Sequence, residues 1–200
     1  MEFDDVVRKR RMVRAFTADP VSPGDVAQLC HVAQRGPSAG FAQGYAFLFL
    51  ESAADRALLW AASPQLLADT SQSDHQMRDA PLIIVPMCSE EAYIERYSEP
   101  DKAVPGQRPK WAVPVWYVDA AFASMLVLLE SVNLHLGAGF IAPPKDLALF
   151  RESFGVPAVF VPIGMILVGH RHPDVSESSG GGRRKAESKV MFHGRWGQTR

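Results

Sequence analysis

The residues best suited to hold an anion lie near the N-terminus. Arginine or lysine occupies five of the seven positions from 8 to 14, and Ala15 and Phe16 follow them. Guanidinium groups match the oxygen geometry of a phosphate and form charge-assisted hydrogen bonds with it. The cluster therefore fits a phosphate site, although a solvated basic face on a short helix has the same composition.

A second segment combines small residues with side chains that can form hydrogen bonds. Residues 36–45 read Gly-Pro-Ser-Ala-Gly-Phe-Ala-Gln-Gly-Tyr. Small side chains let a backbone approach a flat ring closely, and the N–H groups, the Ser38 hydroxyl and the Gln43 amide can meet polar atoms on its edge. The same residues also fit an ordinary loop between a helix and a strand.

Three aromatic residues around Pro114 form a third candidate. Trp111, Trp116 and Tyr117 are either core residues or the wall of a pocket for a flat ligand. The histidines at positions 170 and 172 lack a neighbouring cysteine or carboxylate, so no metal site is expected. The chain also lacks the G-x-S-x-G, P-loop and H-E-x-x-H motifs.

The composition describes an almost neutral chain. Lysine and arginine number 21 against 22 acidic residues, which leaves a net charge of −1 and argues against binding to nucleic acid or to an anionic membrane. The N-terminus has no signal-peptide pattern, and no run of apolar residues is long enough to span a bilayer, so a cytoplasmic protein is expected. We expect residues 1–200 to form one domain, with Cys30 and Cys88 as reduced core thiols.

Hydrophobic periodicity predicts the elements that must position these segments. Strands are expected at residues 45–50, 82–88, 137–141 and 160–169. Helices are expected before residue 10, from an N-cap at residue 22 to residue 35, at 52–62, at 115–134, and at 145–154 before a glycine. Four strands among five or six helices predict an α+β fold.

The longest predicted helix, at 115–134, carries small residues on one side and leucines alongside. We expect it to be thoroughly buried, and a chain this small has few means to cover it on all sides. A second copy of the chain is therefore expected to pack against it. Asp119 and Glu130 are explained by the start and the solvated face of this helix.

Two segments are expected to be irregular. Prolines and a glycine within about residues 90–111 prevent a long regular element and indicate a surface excursion, of the kind that often forms a lid over a site. Serines and glycines at 178–182 precede basic residues at 183–185. That composition is typical of a linker followed by a solvated arm.

The ordered motifs resemble those of the nitroreductase superfamily. Residues 10–16, Arg-Arg-Met-Val-Arg-Ala-Phe, and 37–43, Pro-Ser-Ala-Gly-Phe-Ala-Gln, are similar to its two N-terminal signatures, at the same separation. Residues 164–170 resemble its last core strand, and the basic residues 183–185 with 192–196 resemble its C-terminal segment. The resemblance covers essentially the whole chain and implies a mostly antiparallel central sheet flanked by helices, in an intertwined homodimer.

The resemblance also implies FMN as the cofactor and assigns residues to it. Arg10, Arg11 and Arg14 would contact the ribityl phosphate and the pyrimidine edge of the ring, where cations stabilise negative charge. Met12 stands where the family usually has serine, so only a backbone contact is expected there.

Two further segments would approach the ring, and the tail would approach the phosphate. The small-residue loop would line the ring from the partner subunit or from the same side of the interface, through Pro37, Ser38, Ala39 and Gly40 with Gln43 as support. The loop that aims a backbone N–H at the reactive N5 atom would be Ile141, Ala142 and Pro143. Arg184, with Arg183 beside it, would complete the phosphate site, and the tail from about 176 to 200 would form an arm over the partner.

The activity implied is a ping-pong reaction in which NAD(P)H transfers a hydride through the flavin to an electron-poor acceptor such as a nitroaromatic compound or a quinone. The cofactor supplies the redox chemistry, which explains the lack of an acid–base dyad. The candidate substrate contacts are Phe41, Trp111, Trp116 and Tyr117.

Several alternatives remain open at this level. Phe41 replaces a common asparagine, and together with the excursion it leaves room for other flavin chemistry on the same fold, namely fragmentation of reduced flavin, dehalogenation or ring oxidation. A protein that binds or sequesters flavin without turnover is a second alternative. A deazaflavin could replace FMN.

Overall fold

A five-stranded sheet forms the centre of the structure. The structure is a computed structural model that describes residues 1–67, 76–173 and 184–199. Its strands are β1 (Tyr45–Leu50), β2 (Leu82–Cys88), β3 (Gly137–Ile141), β4 (Val161–Pro162) and β5 (Met165–Gly169). The main path has the order β1-β2-β5-β3, and β4 pairs with the end of β2. Every pairing is antiparallel, which confirms the predicted α+β class and antiparallel sheet.

The last predicted strand, 160–169, is divided into two in the structure, so that prediction was wrong in its continuity. β4 pairs with Met87 and Cys88 of β2, whereas β5 pairs with the first residues of β2 and with all of β3. Between them Gly164 packs so closely on the Phe140 ring that an added Cβ would lie 2.2 Å from it. Residues 163 and 164 thus separate the two strands.

Helices cover the sheet. They are α1 (Phe3–Lys9), α2 (Pro23–Ala33), α3 (Ala53–Ala61), α4 (Glu90–Tyr97), α5 (Val115–Asn133) and α6 (Leu147–Phe154). The side chains of Ser22 and Ser52 cap α2 and α3 as predicted, and Gly155 ends α6 with a left-handed φ of 63°. Asp146 caps α6, so this helix begins two residues later than expected.

The excursion begins with regular structure, which the sequence argument did not foresee. α4 forms two turns, with Ser89 as a side-chain N-cap and glutamates in its first turn. These are ordinary helix-start signals, and the prolines and glycine on which the prediction relied begin only at residue 100. The irregular part of the excursion therefore starts after α4.

Helix α5 is the core helix of the fold. Its inner face packs against α2, β2 and β3 and buries eight residues. Among the described helices, only α5 has the length and hydropathy of a membrane span, and 44% of its apolar window is buried inside the protein. Burial against the sheet and α2 accounts for the apolar residues on its inner face.

An exposed apolar face remains on α5 and the neighbouring α1. The residues that form this apolar face are Phe3 (69% exposed), Val7 (50%), Val118 (38%), Phe122 (51%) and Met125 (43%). In an amphipathic surface helix these outward positions would be polar. The burial of α5 expected from sequence is thus limited to one side within a single chain.

The described tail, residues 184–199, lies on the surface. All of its residues are exposed except Phe192, whose ring stacks on Trp196 with a centroid distance of 4.5 Å, and Trp196 itself is 90% exposed. Residues 178–183, including Arg183, lie outside the described residues.

Candidate active site

The basic N-terminal segment lies beside strand β3. Val13 N–H donates to the Ala138 carbonyl oxygen (2.9 Å), and Phe140 N–H donates to the Met12 Sδ atom (3.4 Å). A Cβ on Gly139 would lie 2.1 Å from the Val13 carbonyl oxygen, so only glycine permits this approach. Met12 thus uses its side chain to attach the segment to β3, in addition to any backbone role.

Arg10 ends helix α1, and its Nη1 atom is buried without a hydrogen-bond partner. A buried guanidinium nitrogen without a partner is costly, because its lost hydration is not replaced. An anion or a polar ring edge placed there would supply the missing acceptor. Arg11 and Arg14 are exposed nearby in sequence, and Arg11 Nη1 donates to the carbonyl oxygens of Arg8 (2.6 Å) and Arg10 (3.0 Å).

A cationic cavity of about 270 Å³ lies next to this segment. Four basic side chains line it, and the first of them pairs with Asp5: Arg8, Lys9, Arg11 and Arg171. Arg171 was not predicted as a site residue. It follows β5 and pairs with Phe16, so the sheet places it beside the N-terminal segment. Its position in the sequence, two residues beyond the end of a core strand, could have indicated this.

Strand β3 also leads directly into the second predicted group. Ile141 is the last residue of β3, and Ala142 and Pro143 follow it at the surface, with Ala142 exposed. The segments 10–14 and 141–143, far apart in sequence, therefore share one edge of the sheet and are called here the β3-edge group.

The small-residue loop 37–43 has an unusual backbone. Gly40, Phe41 and Gln43 have positive φ angles of 62°, 57° and 48°. Such angles strain residues other than glycine and persist only where surrounding contacts hold them. Within the loop, Ser38 Oγ accepts a hydrogen bond from Gln43 N–H (3.0 Å), and Phe41 projects with 74% of its surface exposed.

A buried carboxylate holds this loop from behind. Asp119 Oδ2 accepts hydrogen bonds from Ala39 N–H (2.8 Å) and from the Tyr93 hydroxyl (2.8 Å). The expectation that Asp119 only starts a helix was wrong, because its side chain points inward and is 6% exposed. An acid between Val118 and Ala120 on the most apolar helix was the signal, since a buried carboxylate requires donors.

Helix α4 contributes the remaining supports of the loop. Arg96 Nε donates to the Gly40 carbonyl oxygen (2.8 Å), while its Nη atoms pair with Asp101 (2.7 Å) and Glu99 (2.9 Å). Tyr97 packs so closely on Gly40 that an added Cβ would lie 2.7 Å from its ring. Nothing in the sequence pattern linked the excursion to the loop.

The predicted aromatic wall forms one cluster next to the loop. Trp111 lies edge-on to Tyr97 (5.3 Å between ring centroids) and to Trp116 (5.8 Å), and Trp116 contacts Tyr117. Tyr93 joins the cluster, and burial together with the Asp119 carboxylate raises the pKa of its hydroxyl well above the usual range. Tyr93 is therefore a neutral donor. Trp111 and Trp116 are half-buried, and Tyr117 is 42% exposed.

The sheet places the two groups of residues at opposite edges. Loop 37–43 precedes β1, whereas segments 10–14 and 141–143 lie at β3. The order β1-β2-β5-β3 separates these edge strands by three strand spacings, or about 14 Å. Within one chain the predicted site residues therefore form two groups.

Arg184 is exposed in the tail. The described residues contain no cluster of three or more metal-ligating side chains.

Comparison with known proteins gives one family. The model of the nitroreductase family matches residues 7–170. A nitroreductase family protein from Clostridium difficile 630 has a TM-score of 0.72 at 18% identity, covering 98% of this chain and 99% of that one. A Desulfovibrio desulfuricans protein solved in complex with FMN has a TM-score of 0.71 at 20% identity, covering 98% of each chain. An FMN-dependent nitroreductase from Clostridium difficile R20291 has 0.69 at 17%, covering 96% and 98%.

Proposed function

The chain belongs to the nitroreductase family, and from this premise we propose that it is an FMN-dependent oxidoreductase that uses NAD(P)H to reduce an electron-poor acceptor, such as a nitroaromatic compound or a quinone. The observation that carries the proposal is the buried Arg10 Nη1 atom without a partner. It lies in the segment that the family signature assigns to the cofactor.

The residues on the β3 edge fit the polar part of FMN. Arg10 and Arg11, with Arg14, offer guanidinium donors, and Lys9 in the wall of the adjacent cavity adds positive charge. Arg184, and Arg183 outside the described residues, would add charge from the tail. The protein solved with FMN shares this fold, which supports the same cofactor here.

The residues of loop 37–43 fit the flat part. Gly40 and Ala39 present little side-chain bulk, and the contacts of Asp119 and Arg96 fix the backbone before any ligand arrives. When bound, FMN supplies the hydride acceptance and electron delivery that no side chain of the chain can perform. The protein would bind the ring, place a backbone N–H of loop 141–143 beside it and exclude water.

We propose that the active enzyme is a homodimer with two shared sites. Two observations support this arrangement: the two groups of site residues lie on opposite edges of the sheet, and the apolar face on α1 and α5 is uncovered. A two-fold contact through this face would bury it on both subunits. Loop 37–43 of one subunit would then complete the β3-edge group of the other, with the tail from about 176 as an arm over the partner.

The substrate side of the site would be formed by exposed aromatics. Phe41 projects from the loop, and Tyr117 is accessible above the half-buried pair Trp111 and Trp116. Flat electron-poor acceptors stack well on such rings. The near-neutral charge and the globular fold fit a cytoplasmic enzyme of small molecules, without a role for nucleic acid or membrane.

The proposal is tested by the absorption spectrum of the purified protein, followed by anaerobic titration with NADH and with NADPH. We expect a yellow FMN protein that bleaches with one of them and regains colour with a quinone. A colourless protein that does not bind added FMN would contradict the proposal. Yellow colour that persists with both nicotinamides would indicate flavin storage, and flavin loss in air would indicate fragmentation.

The variant Arg10→Met tests directly whether the buried Arg10 side chain binds FMN. Removing a charged donor to FMN is expected to weaken FMN binding by about 10-fold or more. The FMN-free variant should be no less stable than the FMN-free parent, because the buried nitrogen has no partner to lose. Fluorescence titration of FMN and thermal unfolding of the apoprotein give the two values. Unchanged FMN affinity would refute the role of Arg10.

A further inference from the structure

A second cavity lies within the excursion and is separate from the β3-edge group. Its volume is about 790 Å³, within the range of small-molecule sites. Three cations and two aromatic rings dominate its wall, and the described lining residues include no carboxylate: Lys102, Arg108, Lys110, Tyr97 and Trp111.

The acidic residues of the same segment are engaged elsewhere. Glu99 and Asp101 pair with Arg96, whose Nε atom also holds the Gly40 carbonyl oxygen. Their negative charge is thus directed to the Arg96 side and not into the cavity. The positive charge of Lys102, Arg108 and Lys110 therefore dominates the cavity.

The cavity is adjacent to the loop proposed to hold the ring of FMN. Tyr97 lines the cavity with part of its surface and packs on Gly40 with its ring edge. Trp111 stands edge-on to Tyr97 at 5.3 Å and also lines the cavity. A ligand stacked on these rings would lie next to the proposed redox centre.

We propose that this cavity binds the anionic group of an aromatic redox substrate, with the ring against Trp111 or Tyr97 and the phosphate or carboxylate held by Lys102, Arg108 and Lys110. The proposal rests on the proposed function and adds a charge preference to it. Two kinds of ligand carry an aromatic ring with an anionic group: the adenosine phosphate part of NAD(P)H, and an acceptor that carries a carboxylate.

Calorimetric titration of the purified protein with three probes distinguishes these sources. The probes are 2′,5′-ADP for the nicotinamide source, 4-nitrobenzoate for an anionic acceptor, and 4-nitrobenzamide as its neutral counterpart. The parent is compared with the triple variant Lys102→Gln, Arg108→Gln, Lys110→Gln and with the control Arg78→Gln, which removes one exposed cation outside the cavity.

We expect the triple variant to bind one or both anionic probes about 10-fold or more weakly and 4-nitrobenzamide unchanged, since each exposed ion pair contributes modestly. Loss for 2′,5′-ADP alone identifies the nicotinamide source, and loss for 4-nitrobenzoate alone identifies the acceptor. Binding by the parent should weaken with added salt. Arg108→Lys, which keeps the charge, should retain most of the affinity.

The idea is overturned if the parent binds neither anionic probe, or if the triple variant binds them as well as the parent does. Its failure is distinct from that of the proposed function, because FMN content is read from the absorption spectrum and involves the β3 edge. A triple variant with full FMN content and unchanged probe affinity would contradict the cavity proposal and leave the proposed function intact. Calorimetry also reports on the cavity if no flavin is bound.

Discussion

Asp119 connects three parts of the chain through one side chain. Its carboxylate accepts from the backbone of loop 37–43 and from Tyr93 of α4, while it belongs to α5. Hydrogen bonds to a charged acceptor are stronger than neutral ones, and their loss leaves the donors unsatisfied. The loop geometry therefore depends on a residue that does not itself face the proposed ring.

We expect Asp119→Ala to lower the free energy of unfolding by about 3 kcal/mol, since two donors lose their acceptor. FMN affinity should fall as well, because loop 37–43 loses its support. Asp119→Asn keeps one acceptor oxygen and should be intermediate. Urea unfolding measures the first effect and flavin fluorescence the second. The control Glu130→Gln, on the same helix, should change the free energy of unfolding and the FMN affinity little. Losses as large as those of Asp119→Ala would contradict the assignment.

Cys88 gives the fold a dependence on alkaline pH. Burial raises the pKa of its thiol from 9.0 to about 11. An unfolded chain releases this proton near pH 9 while the folded chain still holds it, so stability is full below pH 9 and falls as the pH rises toward 11. Cys88→Ala should flatten this decline in urea titrations from pH 8 to 11. An unchanged slope would show that the thiol does not contribute.

Among the elements, those with a clear pattern and local end signals were predicted from the sequence. β1, β2 and β3 begin and end at the predicted residues, because each is an apolar run with turn or cap residues beside it. The division of the last strand was missed; at the break Gly164 packs on the Phe140 ring, a contact between distant parts of the chain. Helix α4 was missed although Ser89 signalled it.

The site was predicted unevenly for the same reason. Motif order led to segments 10–14, 37–43 and 141–143 as the proposed site, and this assignment stays a prediction. The residues that hold loop 37–43 in place, Asp119 and Arg96, act through tertiary contacts that no local spacing records. Periodicity describes which face of an element is buried and cannot say which donor a buried acceptor will meet.

The contact between the N-terminal segment and β3 can be broken at Gly139. An added Cβ would lie 2.1 Å from the Val13 carbonyl oxygen, a backbone atom that cannot rotate away. We expect Gly139→Ala to lower both thermal stability and FMN retention, by about 1–3 kcal/mol of stability as in other overpacked sites. Gly24→Ala, at the open start of α2, should be neutral or stabilising. Normal FMN retention in Gly139→Ala would argue against a role for this contact in the site.

For the whole molecule, the apolar face on α1 and α5 determines the expected assembly. Phe122→Glu places a charge between Val118 and Met125 in the α5 part of this face, which a two-fold contact would repeat on both subunits. We expect it to produce monomers in sedimentation equilibrium and to lose FMN together with the partner. Ala61→Glu, on the exposed side of α3, should leave both properties unchanged. A parent protein that is monomeric and retains FMN would contradict the shared-site arrangement.

The placement of the two groups at opposite sheet edges also has a genetic consequence. A subunit with Arg10→Met is defective at its β3 edge, and one with a damaged loop 37–43 is defective at the other edge. Each pure variant would have both of its sites impaired, yet co-expression would restore part of the function, because a mixed dimer of the proposed kind would contain one wholly intact site and one doubly damaged site. Random pairing would repair about a quarter of all sites. Two impaired alleles would thus complement each other within the same gene.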